Sequence, residues 1–425
     1  VGPDLTRLDQ HSLAAHGDEL RERYAALRAR GLRLDLTRGK PGPEQLDLSD
    51  ALLGLPGPGD YRAADGADCR NYGGLTGLRE LREIFADFLQ VPVDQLMALG
   101  NSSLELMHDC VLQALIDPPP GGKERWLDAA PPAFLCPVPG YDRHFAITTR
   151  FGFEMIQVPM TEDGPDLNVV EPLVARDPRI KGMWNVPKYS NPSGVCYSEE
   201  TVRRLAEMPT AAPDFRLFWD DAYVVHHLVE DGATIAPLLA LCERAGHPDR
   251  ALVFGSSSKI TFPGAGVGFL GASPANLAWF QRHQSKRTIG PDKVNQLRHA
   301  RFLRDAAGVR ELMDRHRAIL APKFQVVEDA LRTGLGGSGI ARWSSPRGGY
   351  FVSLDVLDGC AREVVRLAGE AGIALTPAGA TFPAGQDPHD RNIRLAPTFP
   401  SLDELKLAME GLVTCVRLAA VEKLR

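Results

Sequence analysis

The chain lacks any long apolar run. Nowhere do about 18 consecutive apolar residues occur, the least that a bilayer-crossing helix needs, so no membrane span is expected. Positive charge is not in excess: the net charge is −6 over 425 residues, which leaves no basic surface for nucleic acid. Cysteine is sparse. Cys69, Cys110, Cys136, Cys196, Cys242, Cys360 and Cys415 are scattered, odd in number and without a C-x-x-C pair. That pattern argues against a disulfide framework or a zinc site and for free thiols in a reducing cytoplasm. The histidines include no H-E-x-x-H, and the adjacent His226 and His227 point in different directions on a helix or a strand, so no metal is expected. The first residues, "VGPDLTRLDQHSLAAHGDEL", are too polar for a signal peptide. Internal repeats and low-complexity linkers are also absent.

What remains is ordinary globular material, 24% charged and 44% hydrophobic, enough for two or three domains. Residues 5–31 read as a helix with Leu5, Leu8, Leu13, Leu20, Tyr24 and Leu27 roughly on one face. Thr76 to Gln90 reads as an amphipathic helix capped by Thr76. The middle alternates. Strands are expected at Ala133–Cys136, Met155–Pro159, Gly182–Val186, Arg216–Trp219, Ala251–Gly255 and Val267–Gly271, with helices such as Leu104–Leu115 and Glu199–Met208 between them. Such alternation predicts an α/β fold with a mostly parallel sheet wrapped by helices. From Lys293 to about Leu335 the spacing predicts long helices leading into a smaller α/β unit.

Polar clusters follow the apolar runs. "FLC" leads into "PVPGYDRH", "MWNVP" into "KYSNPSG", "FRLFW" into "DDAY" and "ALVFG" into "SSSK". Ligands of open α/β sheets bind beyond the carboxyl ends of the strands, so these clusters describe one site. Its chemistry follows from the residue types. A neutral lysine amine, here Lys259, can form an imine with a carbonyl. An acid such as Asp220 can keep a pyridine nitrogen protonated, making that imine an electron sink. Serines and a helix N-terminus suit a phosphate, and Tyr141 can stack on a ring. These are the parts of a pyridoxal phosphate site. "GKPGP" lacks the full phosphate-loop pattern, and "GGLTG" and "GAGVG" fail the dinucleotide fingerprint.

From "LTRGKPGP" through "SNPSG", "DDAY" and "SSSKITFPGAG" to "IRLAPTF", the chain resembles fold-type I pyridoxal-phosphate enzymes of the class I aminotransferase group. Within that group it is most similar to a divergent aspartate aminotransferase subgroup. The resemblance implies a large domain with a mostly parallel seven-stranded sheet plus a smaller α/β domain. Residues 1–47 are expected to form an N-terminal arm and part of the small domain, 48–300 the cofactor-binding domain, 301–335 a connecting helix and 336–425 the small C-terminal domain.

The resemblance also implies residue roles. Lys259 carries the cofactor and shuttles a proton at the substrate Cα, Asp220 pairs with the pyridine nitrogen, and Tyr223 and Asn191 bond the phenolic oxygen. Tyr141 stacks on the ring. Ser102, Ser103, Ser256 and Ser258 face the phosphate. Tyr72 reaches the phosphate of a neighbouring subunit, implying a homodimer with shared sites. Gly39 lies beside the substrate, and Arg394 holds its α-carboxylate, for which a planar fork is well suited. Plain packing and capping roles suit several of these residues equally: Ser102 and Ser103 fit a helix N-cap, and Asp220 and Asp221 are both possible caps.

Two departures stand out. The family's phosphate-clamping arginine, seven or eight positions after the lysine, is replaced by Gly266 and Val267, which leaves the serines, Lys188 or Arg287 to take its place. No motif marks the group for a distal carboxylate; Arg38, Lys40, Arg143, Arg287 and Lys293 are the candidates. The expected activity is transfer of the amino group of aspartate to 2-oxoglutarate. The alternatives are a transaminase or β-lyase for another amino acid, or a non-catalytic regulatory module of the kind some transcription factors carry.

Overall fold

The computed structural model describes residues 3–129 and 131–425, so the first two residues of the N-terminal arm lie outside the described residues. The strands in chain order are β1 (Leu34–Asp35), β2 (Leu96–Leu99), β3 (Ala133–Val138), β4 (Glu154–Thr161), β5 (Gly164–Pro165), β6 (Ile180–Asn185) and β7 (Arg216–Asp220). They continue with β8 (Ala251–Ser256), β9 (Gly268–Ala272), β10 (Ala341–Trp343), β11 (Val352–Val356), β12 (Ile373–Ala374) and β13 (Asn392–Leu395). The main sheet runs β2-β9-β8-β7-β6-β3-β4-β5. Pairing is parallel from β8 through β7, β6 and β3 to β4, while β9 is antiparallel to both its neighbours. The six strands read from the sequence are therefore present, β2 makes the seventh that the resemblance implies, and the two-residue β5 extends the sheet to eight by a tight hairpin, Thr161 opposite Gly164. A second sheet, β10-β11-β13, and the short parallel pair β1-β12 belong to the smaller unit.

Period-two alternation decides what each central strand offers to each side. On β7, Leu217 and Trp219 enter the core on one face, and Phe218 enters the core on the other. Asp220, two residues beyond Phe218, points the same way as Phe218. On that face lies an aromatic layer: Phe134, Trp184, Phe218 and Phe254 come from four neighbouring strands, with Phe134 and Phe218 ring centres 5.3 Å apart and Phe218 and Trp184 4.9 Å apart. Gly182 makes room for it, since a Cβ there would lie 2.4 Å from the Phe134 ring. The smaller unit has its own core, in which Leu20, Tyr24, Leu27 and Leu36 from the N-terminal segment pack with Leu354, Ile393 and Leu412.

Several local expectations are corrected. The helix after Thr76 starts at Arg79, because Gly77 adopts φ +79° and the Thr76 carbonyl is taken by the Ala98 amide of β2. The side chain of Gln296, not Thr76, accepts the amide of Leu78 at 2.7 Å. The N-terminal helix is split into a 3-10 turn, Leu5–Arg7, and Gln10–Ala29, whose start Asp9 caps. The helices after Lys293 are Lys293–Leu303 and Ala306–Leu335, broken where Arg304 turns to φ 67° and Asp305 accepts the Gly308 amide. Strand β2, "LMAL", was not anticipated: it is buried on both faces and so shows no alternation.

Because the aromatic layer is shared by four strands, Phe218→Ala should destabilise the protein by about 3–5 kcal/mol. Equilibrium unfolding in urea checks this; a loss below about 1 kcal/mol would show that the layer repacks.

Candidate active site

The polar residues at the ends of β3, β6, β7 and β8 converge. Ser102, Ser103, Tyr141, Asn191, Asp220, Tyr223, Ser256, Ser258 and Lys259 line one cavity of about 170 Å³. A second cavity of about 560 Å³, lined by Gly39, Arg38, Lys40, Asp142, Arg143, Phe351 and Arg394, shares Tyr141, Asn191, Tyr223 and Lys259 with the first. The two are therefore continuous, and every expected site residue but one faces them. The exception is Tyr72, whose side chain is 79% exposed and lines neither cavity.

Asp220 is buried, and its Oδ2 lies 3.0 Å from His144 Nε2. The His144 ring stacks on Trp184 at 4.6 Å and 14°, so the aromatic layer fixes the imidazole and the imidazole fixes the carboxylate. The other oxygen, Oδ1, is buried with no hydrogen-bond partner among the described residues. His144 was not foreseen. Its signal was available: it follows Tyr141 by three residues in "GYDRH", one helical turn, which turns both towards the same side. The neighbouring Asp221 lines a separate cavity of about 400 Å³ with Lys188. Burial pushes the Asp221 carboxyl up to about 7, against the opposing pull of Lys188.

Lys259 Nζ sits 5.1 Å from the centre of the Tyr223 ring. Burial pushes its ammonium below the ordinary value, with Asp220 acting in the opposite sense, which makes the amine easier to deprotonate than in water. The lysine's backbone is pinned: His226 Nε2 donates to the Lys259 carbonyl at 3.3 Å, and the Tyr350 hydroxyl donates to the same carbonyl at 3.4 Å. Burial holds His226 well below its usual range, hence neutral. The Tyr223 hydroxyl is likewise kept protonated by burial.

The three serines divide. Ser256 and Ser258 line the cavity and bond each other, Oγ to Oγ at 3.2 Å. Ser257 points into the protein, where its Oγ accepts the Val267 amide at 2.9 Å. Ser102 caps the helix Ser103–Ile116, accepting the Glu105 amide, so the start of that helix opens towards the cavity.

The missing arginine has a steric cause. A Cβ at Gly266 would lie 2.7 Å from the Asn101 carbonyl oxygen and 2.9 Å from Ser258 Oγ, and Val267 is buried in the core. Neither expected substitute reaches the inner cavity. Lys188 donates to the Val224 carbonyl at 2.7 Å on the far side, and Arg287 is paired with Glu105 and Asp109. Among its lining residues Lys259 is the one basic side chain. Arg287 and Lys293 also stay out of the outer cavity, Lys293 donating to the Tyr72 carbonyl. Arg394, on β13, donates from Nη1 to Asp142 Oδ1 at 2.7 Å and to Asn191 Oδ1 at 3.4 Å.

A doubly wound sheet, a smaller unit leaning over its strand ends and a buried lysine facing a half-satisfied aspartate define the class: an aminotransferase of fold type I. The family model described as aspartate amino-transferase matches residues 8–425, and the chain belongs to that family. It is 50% identical over 418 residues to the aspartate aminotransferase of Corynebacterium glutamicum, covering 98% of this chain and 96% of that one. The crystal structure of an aspartate transaminase from Corynebacterium glutamicum superposes with a TM-score of 0.98 at 49% identity, covering 100% of both chains. An α-aminoadipate aminotransferase from Thermus thermophilus, complexed with N-(5'-phosphopyridoxyl)-L-leucine, shares the fold at 23% identity and a TM-score of 0.74 over 94% of this chain and 96% of that one.

Because burial lowers the Lys259 pKa, the unfolded chain binds more protons than the folded one between the folded value and the ordinary 10.5. The cofactor-free protein should gain stability from this group as pH rises through that window. Lys259→Met should be more stable than the parent on the acid side and should flatten this part of the profile. Urea unfolding across pH checks this; an unchanged slope would show that Lys259 is solvated.

Proposed function

We propose that this protein moves the amino group of L-aspartate to 2-oxoglutarate using pyridoxal 5'-phosphate, by a ping-pong mechanism in which the first 2-oxo acid leaves before the second binds. The observation that carries the reading is the inner cavity, which Lys259 lines together with Asp220, whose buried Oδ1 has no partner among the described residues. A buried carboxylate oxygen without a donor is costly. A protonated pyridine nitrogen is the donor that would satisfy it, so the residues fit the cofactor.

When bound, pyridoxal phosphate supplies the electron sink for negative charge developing at the substrate Cα. The protein's residues do the rest. Asp220, oriented by His144, holds the proton on the pyridine nitrogen. Lys259 would hold the cofactor through its Nζ, and that amine, once free, would take up the proton from the substrate Cα. Tyr223 and Asn191 serve the phenolic oxygen, and Tyr141 packs on the ring. Ser102, Ser103, Ser256 and Ser258, with the helix start, serve the phosphate in place of the arginine that Gly266 excludes. Arg394 takes the α-carboxylate, beside Gly39, where the Phe351 ring fills the space a Cβ would need.

For the distal carboxylate the field narrows. Lys40 lies over the Phe399 ring at 3.8 Å, while Arg38 and Arg143 are exposed at the outer cavity. We assign the distal carboxylate to these two arginines. Tyr72 and Ile289 are both largely exposed, and their loops meet where Gly290 packs against Gly73. That projecting apolar pair supports a homodimer in which Tyr72 serves the partner's phosphate.

The protein loaded with pyridoxal phosphate should form oxaloacetate from aspartate when 2-oxoglutarate is supplied, and should run at about twice 46.3 kDa by light scattering. Release of ammonia and pyruvate without an acceptor would instead make it a lyase. Lys259→Ala should lower the rate by about 10²–10⁴-fold or more.

Replacing Arg38 and Arg143 together by Gln should raise KM for aspartate about tenfold, a loss of about 1.4 kcal/mol of binding. KM for alanine should stay unchanged; an equal effect on both substrates would remove the two arginines from side-chain recognition.

A further inference from the structure

Arg394, read above as the holder of the substrate α-carboxylate, already faces a carboxylate. Its Nη1 donates to Asp142 Oδ1 at 2.7 Å, and Asp142 is its ion-pair partner among the described residues. The pair spans the cleft. Asp142 opens the helix Asp142–Arg150 behind β3 of the main sheet, and Arg394 lies on β13 of the smaller one. The two ends differ in freedom. The Arg394 side chain is 7% exposed, backed by the Phe351 ring at 5.0 Å, while that of Asp142 is 33% exposed. Among the described residues, Arg394 Nε is buried without a partner, and Asp142 Oδ1 meets Nη1 alone. The guanidinium is thus engaged at one of its nitrogens, short of the bidentate fork that a free carboxylate can form and that is stronger than a single contact.

We propose that Asp142 is a resident surrogate for the substrate's α-carboxylate. It holds Arg394 across the cleft until a substrate carboxylate replaces it, and thereby sets the affinity for substrate. The proposal rests on the reading of Arg394 as the α-carboxylate group. Asp142 loses little by letting go. At the first turn of a helix its charge is favoured by the helix dipole, and its partial exposure lets it turn to water. A substrate carboxylate gains the guanidinium but must first displace an anion, so the surrogate weakens every carboxylate ligand. A residue that merely oriented Arg394 would do the reverse, because its removal would loosen the arginine and weaken binding. The two roles differ in the sign of the effect.

The test is calorimetric titration of maleate, an unreactive dicarboxylate, into the full-length protein loaded with pyridoxal phosphate. Asp142→Asn should bind maleate about three- to tenfold more tightly than the parent, the scale of one partly exposed ion pair. Asp142→Ser, also compatible with a helix start, should move the affinity in the same direction, which separates loss of charge from local misfolding. Arg394→Gln should weaken binding at least about tenfold. If the Arg394 variant weakens binding while both Asp142 variants leave it unchanged or weaker, the surrogate role is overturned and the reading of Arg394 stands. If Arg394→Gln leaves maleate binding intact, the reading of Arg394 falls, and the proposal with it.

Discussion

The site is organised around a carboxylate that is buried and only half satisfied. Asp220 ends β7 on the side of the aromatic layer, where it is buried, and His144 engages one of its oxygens. Trp184 stacks on His144 and belongs to the same layer as Phe134 and Phe218, so the rigidity of the sheet core is transmitted to a single oxygen atom. An unpaired buried acceptor is tolerated in a folded protein only when something else over-determines its position. Here four strands and a helix do so. The same arrangement places Lys259 where burial favours its neutral form and Asp220 tempers that preference.

The segment around the lysine solves a packing problem as well as a chemical one. Ser257 ties the loop to β9 through the Val267 amide, and that anchoring turns Ser256 and Ser258 towards the cavity. Gly266 then passes so close to Asn101 and Ser258 that no side chain fits. The loss of an arginine and the density of serines are two sides of one close approach of backbones. Hydroxyls and amides are short enough to work in the space that remains, and a guanidinium rooted at that position is not.

The parallel strands were legible because each apolar run ends in a polar cluster, and the cleft was legible because those clusters share one edge of the sheet. Strand β2 was not: with both faces buried, "LMAL" reads as any apolar run. Thr76 has the composition of a cap, yet the amide it was expected to serve is taken by Gln296, more than two hundred residues away, which local sequence cannot show. Lys188 and Arg287 carry the right charge, but their partners, the Val224 carbonyl and the Glu105 and Asp109 carboxylates, lie outside the inner cavity. His144 was hidden for the opposite reason: its role depends on Trp184 and Asp220 meeting its helix from two strands.

Asp142 sharpens what the smaller unit contributes. Gly39 comes from the N-terminal segment and Arg394 from near the C-terminus, and both reach the outer cavity only because β1 pairs with β12 and β13 pairs with β11 in that unit. Its position over the main sheet is therefore part of the site's electrostatics. The Asp142–Arg394 pair joins the two units by an ion pair. On the exchange proposed above, binding energy would be spent at the boundary between the units, because the group assigned to the ligand is also the group that pairs across the cleft.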